Sequence, residues 1–262
     1  MNQTRSDIPL LSVRQVTIRF GGIIGLLRVS FDVEEGAIVG LIGPNGSGKT
    51  TLFNCLSCLY HPSEGEILFK GKPILGMAAY HIAGIGIGRT FQNLALFPTL
   101  TVLQNVMIGL HSRTRGSFFG HSLRLPLVRR EEAKIRRKAM ELLDLMDLES
   151  FADHTAVGLP FGTLKRVELA RALAGEPELL LLDEPAGGLN HEEVEELASL
   201  IRSFRQEMGV TILLVEHHMS LVMQVSNKVV VLNFGQKIAE GTPEEVQNDS
   251  KVIQAYLGDG DQ

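Results

Sequence analysis

The chain has 262 residues, enough to bury most of its apolar surface without disulfide or metal staples. Hydrophobic residues make up 44% of it, there is no low-complexity tract, and the formal charge of −5 argues against a nucleic-acid partner, which calls for a basic excess. No apolar run approaches the roughly 20 residues that span a bilayer, and the opening MNQTRSDIPLLSV lacks the apolar core of a secretion signal, so the expectation is a soluble, cytosolic chain whose membrane role comes through a partner.

In chain order, the first third reads as strands: LSVRQVTIRF, VSFDVEEG, AIVGLIG and GEILFKG, with turns at Gly21-Gly22, Glu35-Gly36 and Lys70-Gly71. AIVGLIG is a continuous apolar run, the mark of a strand buried on both faces. A helix follows from about Gly48. Cys55 and Cys58 fall on that expected helix, on one face and three residues apart. Their spacing can mean a redox pair or half a zinc site, but with no second cysteine pair to complete a four-cysteine site they read first as small buried hydrophobes.

The middle third is helical. Ile135, Ala139, Leu142, Leu143 and Met146 recur at helical spacing, with loops expected around RTRGSFFGHSLRLP. The last third alternates again. ELLLLDEP is a buried strand, NHEEVEELASLIRSFRQEMG a helix stopped by Gly209, and VTILLVEH a second buried strand. MSLVMQVSN is a short helix, and KVVVLNFGQKIAEG two strands turning at Phe234-Gly235. In TPEEVQND, Thr242 is the N-cap and Pro243 the first helical residue. Strands alternating with helices imply an α/β fold around a buried sheet, with a helical insert between its halves, no interdomain linker and no repeat.

GPNGSGKT, Gly43 to Thr50, fits G-x-x-x-x-G-K-[ST] and stands where that motif belongs, between a buried strand and a helix. Its glycines let successive N–H groups converge on phosphate oxygens. The nucleotide-binding candidates are Gly43, Asn45, Gly46, Ser47, Gly48, Lys49, Thr50 and Thr51. Lys49 supplies charge to the outer phosphates, and Thr50 a hydroxyl for Mg²⁺. Asp183, at the end of the LLLLD strand, is the second Mg²⁺ candidate. Glu184 is placed to activate water, since two acids at a buried strand end are costly unless used. A GTPase would need Asn-Lys-x-Asp, whereas the sole Asn-Lys, at Asn227, runs into NKVV. Nothing points to the acceptor site of a kinase.

From Leu11 to Gly258 the chain resembles the ATPase subunits of ABC transporters, because further motifs agree in order. Gln92 ends GRTFQ at the Q-loop position, Gly188 to Asn190 occupy the D-loop, His217 in VEHHM stands at the switch histidine, and Phe20 in RFGG matches the adenine-stacking aromatic. The resemblance implies a P-loop NTPase of the ABC-ATPase fold with an antiparallel β subdomain. It implies one domain over 1–262, with an inserted helical subdomain over about 93–175 that carries the signature. It implies ATP and Mg²⁺ between two head-to-tail subunits, Gln92 touching Mg²⁺ and water, and His217 holding the γ-phosphate and the attacking water. Asn190 would join the nucleotide site. His218 is the alternative to His217; a His-His metal site is the rival reading, with no third ligand apparent. Implied partners are membrane permease subunits, a second ABC ATPase subunit, alike or different, and an indirect external binding protein, the chain lying peripherally on the inner membrane face.

GIGRTFQNLALFPTLTVLQNVMIGLH, DEPAGGLN, the long insert and the closing VIQAYLG are similar to the ATPases of branched-chain amino-acid importers. Relatives of other cargo leave urea, short amides and other amino acids open. A non-transport ABC ATPase and a regulatory nucleotide binder are the readings from other classes. Under the resemblance, LPFGT is the signature, and only Leu159 and Gly162 keep the Leu-Ser-Gly-Gly-Gln pattern. Pro160, Phe161 and Thr163 replace Ser, Gly and Gln. A lost bond to a charged group costs about 1.5–3 kcal/mol, while a helix N-terminus still favours an anion by about 0.3–1 kcal/mol. The element is therefore expected to bind phosphate more weakly, with Thr163 capping its helix and its hydroxyl replacing part of the contact, or with a partner carrying the stronger signature. From Arg113 to Lys138, nine Lys or Arg face two Glu; this reads as a solvated helix and loop, or as a cytosolic face near acidic lipid headgroups. The apolar loop FQNLALFPTLTV borders the groove where this family receives a helix of the membrane subunit.

Overall fold

The structure is a computed structural model that describes residues 8–110 and 126–257. Two sheets divide the strands. β1 (Leu11–Phe20), β2 (Ile23–Val33), β4 (Glu64–Phe69) and β5 (Lys72–Pro73) form an antiparallel sheet in the order β2-β1-β4-β5. β3 (Ile38–Ile42), β6 (Ile87–Arg89), β7 (Leu179–Asp183), β8 (Thr211–Val215), β9 (Lys228–Asn233) and β10 (Gln236–Gly241) form the second, ordered β10-β9-β3-β8-β7-β6. Its pairs are parallel except β9 with β10.

Period-two alternation explains why β3, β7 and β8 read as unbroken apolar runs. Ile38, Leu180, Ile212 and Val229 point into one hydrophobic cluster; Val39, Leu181, Leu213 and Val230 point into the other. A parallel sheet covered on both faces needs both sets. Asn227 serves this sheet: its Oδ1 accepts from the Ile38 N–H at 2.9 Å, and its own N–H donates to the Ile38 carbonyl at 2.8 Å.

Helix α1 (Lys49–Leu56) follows β3. Between β6 and β7 lie α2 (Val102–Leu110), α3 (Pro126–Leu145) and α4 (Phe161–Ala174), which pack on one another through Val106, Ala139, Leu143, Val167 and Leu173. Most of the expected loop and the first part of the basic stretch lie outside the described residues. After β7 come α5 (His191–Met208), α6 (Met219–Val225), α7 (Pro243–Gln247) and α8 (Ser250–Leu257). Gly209 ends α5 with φ 67°, and Thr242 caps α7 with Glu245 in a reciprocal box. No described helix is long and apolar enough to cross a membrane.

Two boundaries differ from expectation. β2 begins at Ile23, six residues before the expected VSFDV run, because it pairs with the whole of β1 as a hairpin. Helix α1 ends at Leu56, so Cys58 lies beyond it with φ 55°, and its Sγ points at the Ile74 carbonyl, 3.2 Å away. Both cysteines are buried free thiols.

Candidate functional site

β6, β7, β8 and β3 are consecutive neighbours, so the segments leaving their C-terminal ends share one edge of the sheet. That edge is the usual ligand crevice of an open α/β sheet. It gathers the Gly43–Thr50 loop, Gln92, Asp183 with Glu184, and His217.

The loop has the backbone its glycines predict. Gly43 has φ 149°, and a Cβ there would sit 2.1 Å from the Leu232 carbonyl oxygen, so no other residue fits. Gly48 enters α1 at φ 104° with no side-chain cap, leaving the first amides of α1 free of side-chain acceptors. Lys49 Nζ donates to the Gly43 and Pro44 carbonyls at 2.7 and 3.0 Å, which folds the ammonium under the loop. Burial pushes its pKa down, against an upward pull from Glu184, so the two groups feel one another across the site. Ser47 Oγ is buried without a hydrogen-bond partner. An unpaired buried hydroxyl, a buried ammonium and free amides together fit a polyanion. Asn45, Gly46 and Thr50 are exposed on this loop, and Thr51 is half-buried.

Asp183 is buried, and its Oδ2 accepts from Arg89 Nη2 at 2.8 Å. The same guanidinium donates through Nη1 to Ser57 Oγ at 2.8 Å, Asn54 Oδ1 at 3.0 Å and the Phe53 carbonyl at 3.2 Å. Arg89 therefore ties β7 to the end of α1. Burial raises the Asp183 pKa, and the bond and charge of Arg89 oppose that rise. Arg89 stands three residues before Gln92, and nothing in its local sequence singled it out.

Glu184 adopts φ 48°, a left-handed conformation that a non-glycine residue occupies at a cost, as functional sites often show. Its carboxylate Oε2 accepts from Gln92 Nε2 at 2.9 Å. The Q-loop candidate and the water-activating candidate, 92 residues apart, are thus in direct contact. The loop around Gln92 is held from two sides. Buried Glu168 on α4 accepts from the Phe91 N–H at 3.4 Å, and Arg171 donates to the Ala95 carbonyl. Buried Asn105 on α2 accepts from the Phe97 N–H at 2.8 Å and donates back to the Phe97 carbonyl at 3.1 Å. Glu168 and Asn105 also escaped sequence reasoning; a polar residue on an apolar helix face was the available signal.

His217 is exposed at the end of β8, its ring 4.6 Å from that of His218. Glu216 supplies the third donor that the sequence did not reveal, all three side chains offering atoms within 4.8 Å of one another. Glu216 is fully buried, however, and its two oxygens already accept three backbone N–H bonds.

The signature candidates stand apart from this edge. The chain enters α4 through Pro160, with φ −54° and ψ 149°, and the helix begins at Phe161. The expectation that Thr163 caps this helix is therefore corrected: Thr163 is its third residue, it is buried, and no side chain caps the helix. The proline sets an extended entry, and the Leu164 N–H closes the first turn on its carbonyl at 3.0 Å. Leu159 packs against the core and exposed Phe161 lies against Gly188. A Cβ on Gly162 would meet a Glu193 carboxylate oxygen at 2.4 Å. Asn190 caps α5, its Oδ1 accepting from the Glu193 N–H at 3.0 Å. Phe20, 44% exposed, meets Tyr60 edge-on with ring centroids 5.3 Å apart, and its ring lies over Gly25, whose carbonyl abuts Gly48. The antiparallel sheet so presents an aromatic face beside the phosphate loop.

Residues 26–187 match the family described as ABC transporter, and residues 236–262 match the description branched-chain amino acid ATP-binding cassette transporter. The chain is 42% identical over 251 residues to the high-affinity branched-chain amino acid transport ATP-binding protein BraF of Pseudomonas aeruginosa, covering 96% of this chain and 98% of that one. It is 41% identical over 251 residues to the corresponding protein LivG of Escherichia coli K12, with the same coverage. Among solved structures, the ADP conformation of MJ1267, an ATP-binding cassette of an ABC transporter, superposes with TM-score 0.83 at 30% identity, covering 96% of this chain and 99% of that one. The dimeric post-hydrolysis state of the cassette MJ0796, bound to ADP and Pi, gives 0.75 at 30% identity, covering 89% and 98%.

Proposed function

The chain belongs to the ATP-binding subunits of ABC transporters, and from that premise we propose that it hydrolyses ATP to drive import of branched-chain amino acids through membrane permease subunits. The observation that carries the hydrolytic reading is the Gln92–Glu184 hydrogen bond at 2.9 Å beside a loop built for phosphates. The cargo class rests on the near full-length similarity to BraF and LivG and on the match over residues 236–262.

The roles follow from chemistry. Lys49, Ser47 and the loop amides hold the β- and γ-phosphates, with Phe20 against the base. Thr50, Asp183 and Gln92 would hold Mg²⁺, which offsets phosphate charge when bound. Glu184 takes a proton from the attacking water, and Gln92 fixes its carboxylate. His217 donates to the γ-phosphate. Residues Leu159–Thr163 and Asn190 act on a nucleotide held by a second, similar subunit packed head to tail.

We take residues 1–262 as one ATPase domain, with 93–175 as its inserted helical part, lying on the inner membrane face. A cavity of 340 Å³ lined by Arg89, Phe91, Ile108, Arg171, Ala172 and Pro177 is the seat for a permease helix. Its wall includes Arg89 and neighbours Gln92, so seating can reach the catalytic edge.

Uptake of labelled leucine is compared between cells carrying the native chain and cells carrying Glu184→Gln, with urea and a short amide in parallel. Loss of leucine uptake alone supports the reading. Loss of urea or amide uptake alone keeps the ATPase and overturns the cargo.

A further inference from the structure

Glu216 has no role in the chemistry described above, yet it is the most thoroughly bonded carboxylate at the catalytic edge. It is 0% exposed. Oε1 accepts from the Ala186 N–H at 2.7 Å, and Oε2 accepts from the His217 and His218 N–H groups at 3.0 and 3.2 Å. Ala186 lies two residues after Glu184, on the segment leaving β7. His217 and His218 lie on the segment leaving β8. One buried side chain thus holds two backbone segments at once.

The surrounding bonds show why a tether is needed there. The Glu184 N–H donates to the Val215 carbonyl at 2.9 Å, and the Gly187 N–H donates to the Glu184 carbonyl at 3.1 Å. Between these bonds Glu184 sits in its left-handed conformation. Such a turn persists only where its surroundings over-determine it. Among the described residues, the bond from Ala186 to Glu216 is the one that ties the backbone of residues 184–187 to a side chain of a neighbouring segment. A fully buried carboxylate is costly unless its oxygens are satisfied by strong donors. Three amides satisfy it here, so both segments are held to one point.

We propose that Glu216 is a positioning residue that fixes the Glu184 carboxylate and the His217 imidazole relative to one another, so that the water-activating group and the phosphate-holding group act on one bound nucleotide. The proposal rests on the ATPase reading above. Glu216 is fully buried, and both its oxygens are taken up by backbone amides. It acts through the backbone of residues 184–186 and 217–218.

Glu216→Gln tests this in the full-length chain. Glutamine keeps the volume but replaces one acceptor oxygen with an amide donor, which cannot receive an N–H. ATP hydrolysis, the dissociation constant of ATP, melting temperature and amide hydrogen exchange over residues 184–187 and 217–219 are measured together. A displaced catalytic group costs up to about a hundredfold in rate. The expected result is a kcat lower by about ten- to a hundredfold, KM and Kd for ATP raised by a clearly smaller factor than the fall in kcat, and faster exchange in both segments. Glu216→Ala should show the same split more strongly; where it fails to fold, the glutamine variant decides. Native exchange in Glu216→Gln, or faster exchange with native kcat, would overturn the proposal. So would a fall in kcat matched by an equal loss of ATP affinity and of melting temperature, which marks a role in the fold alone. A native chain that hydrolyses no ATP overturns the function reading instead, and with it the catalytic half of this one.

Discussion

The sheet edge around Gly43–Thr50 and the start of helix α4 are both proposed to bind phosphates, of two different nucleotides, yet they are built in opposite ways. At the edge, polar side chains brace one another and the backbone: Arg89 makes four hydrogen bonds, buried Glu216 accepts three, and exposed Gln92 bonds Glu184. At the start of α4 no side chain caps the helix, Phe161 is 45% exposed, and the neighbours are Gly188 and Glu193 of the same chain. The first region is braced within one subunit. The second offers an open helix end on an exposed surface, which is what a surface completed by a second subunit requires.

That contrast can be broken at its strong end first. Glu184→Gln should lower ATP hydrolysis by about 10²–10⁴-fold, the usual worth of a general base, while ATP binding by the single chain persists. Phosphate release and a nucleotide-binding titration separate the two. Arg89→Ala leaves Asp183 buried without its cation and should destabilise the fold by about 3 kcal/mol or more, read from denaturant unfolding. Arg89 lowers the Asp183 pKa against burial, so its loss lets Asp183 hold its proton to higher pH. The acid limb of the pH–rate profile should therefore move upward, and Arg89→Lys should restore part of it.

The open region should respond more gently. Gly162→Ala pushes the Glu193 carboxylate out of its box with Asn190 and should cost about 0.5–2 kcal/mol, seen as a melting temperature lower by a few degrees. It should leave ATP affinity of the single chain unchanged and weaken ATP-dependent pairing in sedimentation. The smallest effect is expected at the cysteines. Burial, with a lesser contribution from Cys58, pushes the Cys55 thiol up to about 12, and burial raises Cys58 as well. Neither forms appreciable thiolate at pH 8, so a thiol reagent should react only as the protein unfolds.

Much of this architecture was readable before any coordinates. The Gly43–Thr50 loop, the strand bearing Asp183 and Glu184, the cap at Thr242 and the stop at Gly209 are set by neighbours within a few residues, and local spacing displays them. Thr163 shows the limit even locally: as a capping residue type it suggested a helix start, but Pro160 imposed the extended entry and α4 began two residues earlier. Arg89 meets Asp183 across 94 residues, Glu168 meets the Phe91 amide across 77, and Glu216 meets the Ala186 amide across 30. The first and last of those meetings depend on β6, β7 and β8 lying side by side, and the second on α4 packing beside β6. The sequence by itself determined the strands, the helices and the chemistry offered at their ends, because backbone geometry and hydrophobic period are local. Only the tertiary structure decided which of those ends share a carboxylate or a guanidinium, because the strand order that brings them together is a property of the packed sheet.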